Sequence, residues 1–445
     1  MDLAALIPTF GSFIFTILAF VVALSVIVAI HEYGHYIVGR WTGIKADVFS
    51  IGFGPVLYAK TDRHGTSWQI AALPFGGFVK FRGDSNAASA KDGDAMDGLS
   101  GEDLRSTMHG APLWARTLTV LAGPVFNFTL SFLVFAGLLM VRGVASDPIM
   151  IEELRPMPGA VQELEAGDVI LEVNGISVPS TEGFTSLRDS VEATELATFT
   201  VLRGGQEVLV DGPWVFPALV GAATPGSAAE EAGLQADDVI TAVDGDPIFD
   251  FEQLREKVRG SNGNAIDLTV WRDGAYEAFT MTPRRTDLPL ADGSFETHFI
   301  IGVSPGMSFV PASVTPSLGE AIAYGANQVV FITKTSLSGL YHMVVGKIST
   351  CNISGPIGIA ETSGQAASQG WVSFVWFIAV LSTAVGMLNL FPIPVLDGGH
   401  LVFYFFEAIT GRPPSDQALK YLMAGGLTLM LGLMLFAVTN DFFCP

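Results

Sequence analysis

Two histidines four residues apart with a glutamate between them, His31-Glu32-Tyr33-Gly34-His35, are the residues best placed to do chemistry in this 445-residue chain. On a helix, positions i and i+4 share a face, so both imidazoles can reach one Zn²⁺ while Glu32, about 100° round the axis, faces a water on it. A catalytic zinc centre needs three protein ligands and an open position. The expected third ligand is Asp397, in Asn389-Leu-Phe-Pro-Ile-Pro-Val-Leu-Asp397-Gly-Gly-His400, where Pro392 and Pro394 break an apolar stretch; His400 is the rival. His64, His109 and His298 fall in predicted loops outside the membrane and are weaker candidates.

The elements that must position these groups are apolar. Residues 3–30 carry no charge, with the strongest run at 13–30, and lead straight into the motif. An ionised Glu32 at membrane depth costs roughly 2.5–3.5 kcal/mol, a cost that a divalent cation offsets. Non-helical backbone at that depth is tolerated only inside protein or beside a wet cavity, so the Pro392/Pro394 break itself marks a site. Crossing the hydrocarbon core takes about 20 helical residues. Residues 3–30, 117–141, 371–390 and 421–438 are expected to do so. A cleaved signal peptide fits the first stretch poorly, since no Lys or Arg precedes it and no small-residue cleavage site follows.

Half of the residues are hydrophobic (49%) and only 15% are charged, yet the net charge is −21. The mean hydropathy is +0.46 and the isoelectric point about 4.6, which argues against both disorder and nucleic-acid binding. The charge is −1 over residues 1–141, −18 over 142–370 and −2 over 371–445, so one middle block holds nearly all the acidity. The segment between the first two spans carries nine basic residues from Arg40 to Arg116. Positive-inside logic places residues 40–116 and the Arg412/Lys420 loop in the cytoplasm, and both termini and the acidic block outside. Cys351 and Cys444, the two cysteines, then fall on the outer side, where a disulfide is permitted but a cysteine zinc module cannot be built.

The acidic block repeats. Ala166-Gly-Asp-Val-Ile-Leu-Glu-Val-Asn-Gly175 recurs as Ala236-Asp-Asp-Val-Ile-Thr-Ala-Val-Asp-Gly245. Phe184-x-x-Leu187-Arg188-x-x-Val191 recurs as Phe251-x-x-Leu254-Arg255-x-x-Val258, and Thr200-Val-Leu-Arg203 as Thr269-Val-Trp-Arg272. Each unit reads as strand, Asn-Gly or Asp-Gly turn, helix, strand. The pair resembles PDZ domains in the permuted bacterial arrangement, which add a peptide to a sheet edge and often capture a C-terminal carboxylate. Residues 318–346 show helical apolar spacing, fitting either an amphipathic helix on the outer membrane surface or a packed helix.

Taken together, the HEYGH helix, the Asn-x-x-Pro-x-Pro-x-Leu-Asp-Gly segment, four spans and a tandem PDZ-like insert resemble the site-2 protease family of intramembrane zinc metalloproteases, of the bacterial regulator-of-sigma-E type, over essentially the whole chain. The fold implied is a polytopic α-helical membrane protein with four transmembrane helices, a membrane-associated β-hairpin and two periplasmic PDZ-like α+β domains. The expected divisions are an N-terminal membrane half (1–141), two PDZ-like domains (142–214 and 215–290), a periplasmic connector (291–370) and a C-terminal membrane half (371–445).

The resemblance implies zinc held by His31, His35 and Asp397, Glu32 as general base, and Asn389 as a substrate-holding or oxyanion-stabilising side chain. Phe49-Ser-Ile-Gly52-Phe53-Gly54 resembles the family's re-entrant β-hairpin, and Leu73-Pro-Phe-Gly76-Gly77-Phe78-Val79-Lys80 the strand-rich loop after it. Ser354-Gly355-Pro356-Ile357-Gly358-Ile359 also matches the family pattern. Gly52, Phe53, Gly54, Pro392 and Pro394 are the expected substrate contacts, an exposed edge near Gly52–Gly54 holding an unwound substrate by strand addition.

Implied substrates are single-span proteins of the bacterial inner membrane, such as an anti-sigma factor already trimmed outside or a remnant signal peptide, cleaved toward the cytoplasmic side; the bilayer and peptide ligands of the PDZ grooves are further partners, and nucleic acid is not one. A catalytically silent PDZ-bearing scaffold and a zinc transporter are the alternatives.

Overall fold

The computed structural model describes every residue except 1–2, 85–98, 100, 160, 179, 181–183, 185–186, 188–192, 225, 291–293 and 444–445, and, within elements, the side chains of 3–12, 75, 289 and 416. Two compact units emerge: Met1–Leu138 with Gly319–Val345 and Ser349–Pro445, and Leu139–Leu318 with Gly346–Ile348.

In the first unit, four helices are long and apolar enough to cross a membrane: Phe13–Trp41, Leu113–Arg142, Trp371–Asn389 and Gln417–Phe443, hereafter the first to fourth spans. Their β-branched content would weaken a helix in water, but in lipid the chain has no other way to satisfy its backbone groups. The first span stops where sequence lets it. Gly43, at φ 89°, donates to Arg40 O while Ile44 N–H donates to Gly39 O at 2.7 Å, a Schellman closure that only a residue without a Cβ adopts freely.

Second and third spans meet along small and hydroxyl side chains. Ser131 Oγ donates to Ala379 O at 2.7 Å and Ser382 Oγ to Asn127 O at 3.0 Å, and a Cβ on Gly386 would stand 3.2 Å from Pro124 O. Close backbone approach with hydroxyl bonding is how helices associate where apolar burial gives no advantage over lipid. Helix Pro356–Ser368 precedes the third span. Its N-terminal N–H groups at Gly355 and Ile357 donate to Asp441 at 2.7 and 3.0 Å, tying it to the end of the fourth span. Nearby, Cys351 is disulfide-bonded; Cys444, with which the sequence permits a disulfide, lies outside the described residues.

Between the first two spans lies an antiparallel pair, β1 (Ala46–Thr61) and β2 (Ser67–Phe81). Residues 48–51 pair with 77–80 and also with 67–70, and the double pairing thins beyond Ile51, where Gly52 and Gly54 take φ of 91° and 85°. Phe49, Val79 and Phe81 pack with Tyr36, Ala115 and Val120 of the first two spans in one core. Arg116 makes a two-pronged ion pair with Glu407, at 2.6 and 3.0 Å, and lies over Tyr404.

Leu318–Val344 is a 27-residue helix on which Ala321 and Gly325 alone are buried; a Cβ on Gly325 would meet Phe132 O of the second span at 2.7 Å. Ile322, Val330, Phe331, Leu337, Tyr341 and Val344 are exposed along it.

The second unit turns the sequence repeat into a structural one. Strands Ile176–Ser177, Val169–Val173, Leu196–Arg203 and Gln206–Pro213 form one four-stranded sheet, and Asp246–Pro247, Val239–Val243, Ile266–Arg272 and Ala275–Met281 form another in the same order. Asn174-Gly175 and Asp244-Gly245 both adopt positive φ, as two-residue hairpin turns require. Asp168, at 2.7 Å from Arg203, and Asp238, at 2.7 Å from Arg272, place the same ion pair under both sheets. Residues assigned from sequence to the connector complete these modules: Val303–Pro305 pairs with Val220–Ala223, and Phe309–Pro311 pairs with Ile151–Leu154. Short strands so distant in sequence leave no local signal of their partners.

Candidate metal centre and its supporting shell

The first span carries His31 and His35 one helical turn apart, both 8% exposed, with ring centroids 4.7 Å apart. Asp397 reaches them from the first turn of helix Asp397–Thr410. The turn before that helix must double back tightly. A Cβ on Gly398 would lie 2.2 Å from Phe391 O, and one on Gly399 2.3 Å from Ile393 O and 2.5 Å from Pro394 Cα, so the paired glycines allow the Pro392/Pro394 segment to fold onto the helix start. His31 Nε2 and His35 Nε2 then stand 3.1 and 3.4 Å from Asp397 Oδ2 and 3.2 Å from each other.

These three atoms fit a metal ion. One ligand atom from each of His31, His35 and Asp397 lies within 4.8 Å of the others, and among the described residues no other His/Cys/Asp/Glu cluster meets this condition. Asp397 Oδ2 is buried, yet no hydrogen bond of sound geometry ends on it. His35 Nδ1 is 2.9 Å from Thr119 O, and a carbonyl can only accept, so Nδ1 carries the proton and the neutral ring turns a bare lone pair on Nε2 toward the cluster. His31 Nδ1 faces the Asn127 amide at 3.2 Å, while Asn127 Oδ1 is buried without a partner. Turning that amide over lets Nδ1–H donate to Oδ1 and satisfies both groups, leaving a second lone pair on His31 Nε2. Two nitrogen lone pairs and a carboxylate oxygen so close together repel one another unless a cation sits among them. Imidazole and carboxylate donors at an open three-ligand site suit zinc.

Thr119, Gly123 and Asn127 occupy one face of the second span at i, i+4 and i+8, and sequence reading passed over all three. A Cβ on Gly123 would intrude to 2.4 Å from His35 Nε2 and 2.8 Å from His31 Cε1. The available signal was Gly123-Pro124-x-x-Asn127, a helix-interrupting residue and a primary amide inside a charge-free span.

The remaining candidate residues are placed as follows. Glu32 Oε2 accepts from Val79 N–H of β2 at 3.0 Å. Asn389 ends the third span, and its Nδ2 donates to Val385 O at 3.1 Å; among the described residues no hydrogen bond joins it to the cluster. Phe53 is 41% exposed and stacks on Phe78 at 5.9 Å, between the positive-φ Gly52 and Gly54. Pro392 and Pro394 lie in the turn leading to Asp397, where a Cβ on Gly426 of the fourth span would be 3.1 Å from Pro394 Cδ. His109 pairs with Asp84, His298 with Glu296, and His64 contacts Arg40.

The model of the family described as Peptidase family M50 matches residues 19–433. A protein of Agrobacterium fabrum bearing the name "Putative zinc metalloprotease" is 34% identical over 429 residues, covering 96% of this chain and 95% of its own length. A like-named protein of Rhizobium meliloti is 35% identical over 430 residues, with 96% of each chain covered. The regulator of sigma-E protease RseP of Salmonella typhimurium is 30% identical over 470 residues, covering 97% of this chain and 99% of its own.

Proposed function

The chain belongs to peptidase family M50 and is a site-2-type zinc metalloprotease, and from that premise we propose that it hydrolyses peptide bonds within the transmembrane segment of single-span membrane proteins. The observation that carries this reading is the meeting of His31 Nε2, His35 Nε2 and Asp397 Oδ2, with Glu32 beside His31, on a helix apolar enough to span a membrane.

Depth supports it. Trp41 and Trp114, both exposed, stand at one end of the first and second spans as interfacial aromatics do. At 1.5 Å of rise per residue, His35 lies about 9 Å and His31 about 15 Å inward from Trp41. We assign that end to the cytoplasm from the basic residues around it, and the protein to the inner membrane with termini and the acidic block outside.

In the proposed mechanism His31, His35 and Asp397 hold zinc. Bound there, zinc supplies Lewis acidity that brings water deprotonation near neutral pH. Glu32 takes the proton and later returns it to the leaving amine. A helical substrate hides its carbonyls in its own hydrogen bonds. The apolar hairpin around Gly52–Gly54 would hold it extended, with Pro392, Pro394 and Asn389 flanking the scissile bond.

The two repeat modules are proposed as PDZ domains that filter substrates. In the second, helix Phe251–Gly260 and residues 299–303 line a cavity of about 320 Å³ suited to an apolar peptide. In the first, Phe309 and Phe216 pack edge-on against Phe184, the counterpart of Phe251, within the module's own core. An anti-sigma factor trimmed on the outside, or a remnant signal peptide, is the substrate class that such a filter admits.

Glu32→Gln tests the reading. Cleavage of a single-span reporter should fall by at least about a hundred-fold while zinc remains bound stoichiometrically. Undiminished cleavage would refute the mechanism, and a chelator should abolish parental activity until zinc is returned.

A further inference from the structure

β2 does more than support the sheet. Its docking begins where Ser25 Oγ of the first span donates to Pro74 O at 3.3 Å, and it continues along the same helix to Glu32. Gly77 is the closest point. A Cβ there would lie 2.7 Å from Ser50 O, 3.2 Å from Val28 Cγ1 and 3.6 Å from Glu32 Cγ, so a larger residue would disturb the pairing with β1 and press on the first span. Two residues on, Val79 N–H donates to Glu32 Oε2 at 3.0 Å, and two further on, Phe81 N–H donates to the buried Asp84 Oδ2 at 3.1 Å. Alternate N–H groups of a strand point to the same edge, so this edge, unpaired with any described strand, has its donors at Val79 and Phe81 satisfied by carboxylates.

We infer that the β2 backbone is a positioning element for Glu32: Val79 N–H holds Oε2 and leaves Oε1 to the proton, and Gly77 lets the strand come near enough to do so. The inference rests on the reading of Glu32 as general base. A glutamate has three rotatable bonds and one fixed end, and a charge-assisted hydrogen bond from a rigid backbone removes the freedom that would otherwise leave the base in unproductive rotamers. It also means that the edge donor at Val79 is already used, so an extended substrate cannot take that N–H.

Hydrogen exchange at the Val79 amide, resolved to single residues in the full-length protein in detergent, tests the contact without any cleavage assay. Loss of the acceptor in Glu32→Ala should speed that exchange about ten-fold or more, whereas Glu32→Gln, which keeps an acceptor oxygen, should stay near the parent. Unchanged exchange in Glu32→Ala overturns the inference. Kinetics supply the second arm. Val79→Pro removes the N–H at a position whose donor serves no described strand, and should lower kcat about a hundred-fold with KM and zinc content little changed. Val79→Ala, which restores the N–H, should bring kcat back to within about three-fold of the parent. Equal loss in both variants, or a change confined to KM, refutes the positioning role. A parent that cleaves no single-span reporter but shows the expected exchange pattern would refute proteolysis and leave the contact standing.

Discussion

Gly123 shows how much of the candidate metal centre depends on an atom that is absent. An added Cβ would sit 2.4 Å from His35 Nε2 and 2.5 Å from His35 Cε1, closer than carbon and nitrogen can come, so the imidazole must rotate and its ligand atom must move. Gly123→Ala is therefore expected to weaken zinc binding by about 10- to 100-fold, the range seen when groups that orient ligands are disturbed. Competition against a chelating dye measures it, and a zinc affinity equal to the parent's would show that the ring has room the geometry denies. His31, Glu32, His35 and Asp397 could be named from sequence because a spacing rule and the cost of charge in lipid both point at them. Thr119 and Asn127 could not, because a threonine carbonyl and an amide become ring-orienting groups only when another helix brings the rings to them.

The β1–β2 turn is where an element is tied to the motif helix by a single carboxylate. Asp62 accepts from Trp68 Nε1, the N–H groups of His64 and Thr66, and the hydroxyl of Tyr36, one residue beyond His35. Burial pushes its carboxyl up, but these four donors outweigh that and hold it down at about 2, against an ordinary value of 3.8. A folded pKa below the unfolded one means the stabilisation is complete above about pH 4 and is lost as pH falls toward 2. Amides of the hairpin should accordingly exchange faster on acidification through that window, and Asp62→Asn should remove this pH dependence. A parent hairpin insensitive to pH between 4 and 2 would contradict the linkage. Strand content here was expected from the resemblance of residues 49–54 and 73–80 to the family's hairpin and the loop after it, whereas the pairing of residues 48–51 on both sides was not, since register is set by partners and not by composition.

At the scale of the whole molecule, charge and hydropathy divide the chain. Residues 142–370 hold −18 of the net −21, and apart from residues 139–142 at the end of the second span the four apolar helices belong to the other unit. The topology proposed from the basic residues predicts that alkaline phosphatase fused after Pro316 is active and after Arg105 is inactive; the reverse pattern would invert the protein and place its metal centre near the other membrane face. Periodicity, repeats and the energetic penalty of Glu32 and Asp397 in an apolar setting are properties of the sequence itself, and they pointed to four long apolar helices, a duplicated module and a two-histidine, one-carboxylate cluster. The tertiary structure decided what depends on approach between distant segments. It showed that strands 303–305 and 309–311 complete the repeat modules, that the second span supplies the groups orienting both imidazoles, and that β2 reaches Glu32. Such contacts join backbone carbonyls, amides and missing side chains, whose chemistry is the same everywhere in a chain and becomes specific only through the neighbour it meets.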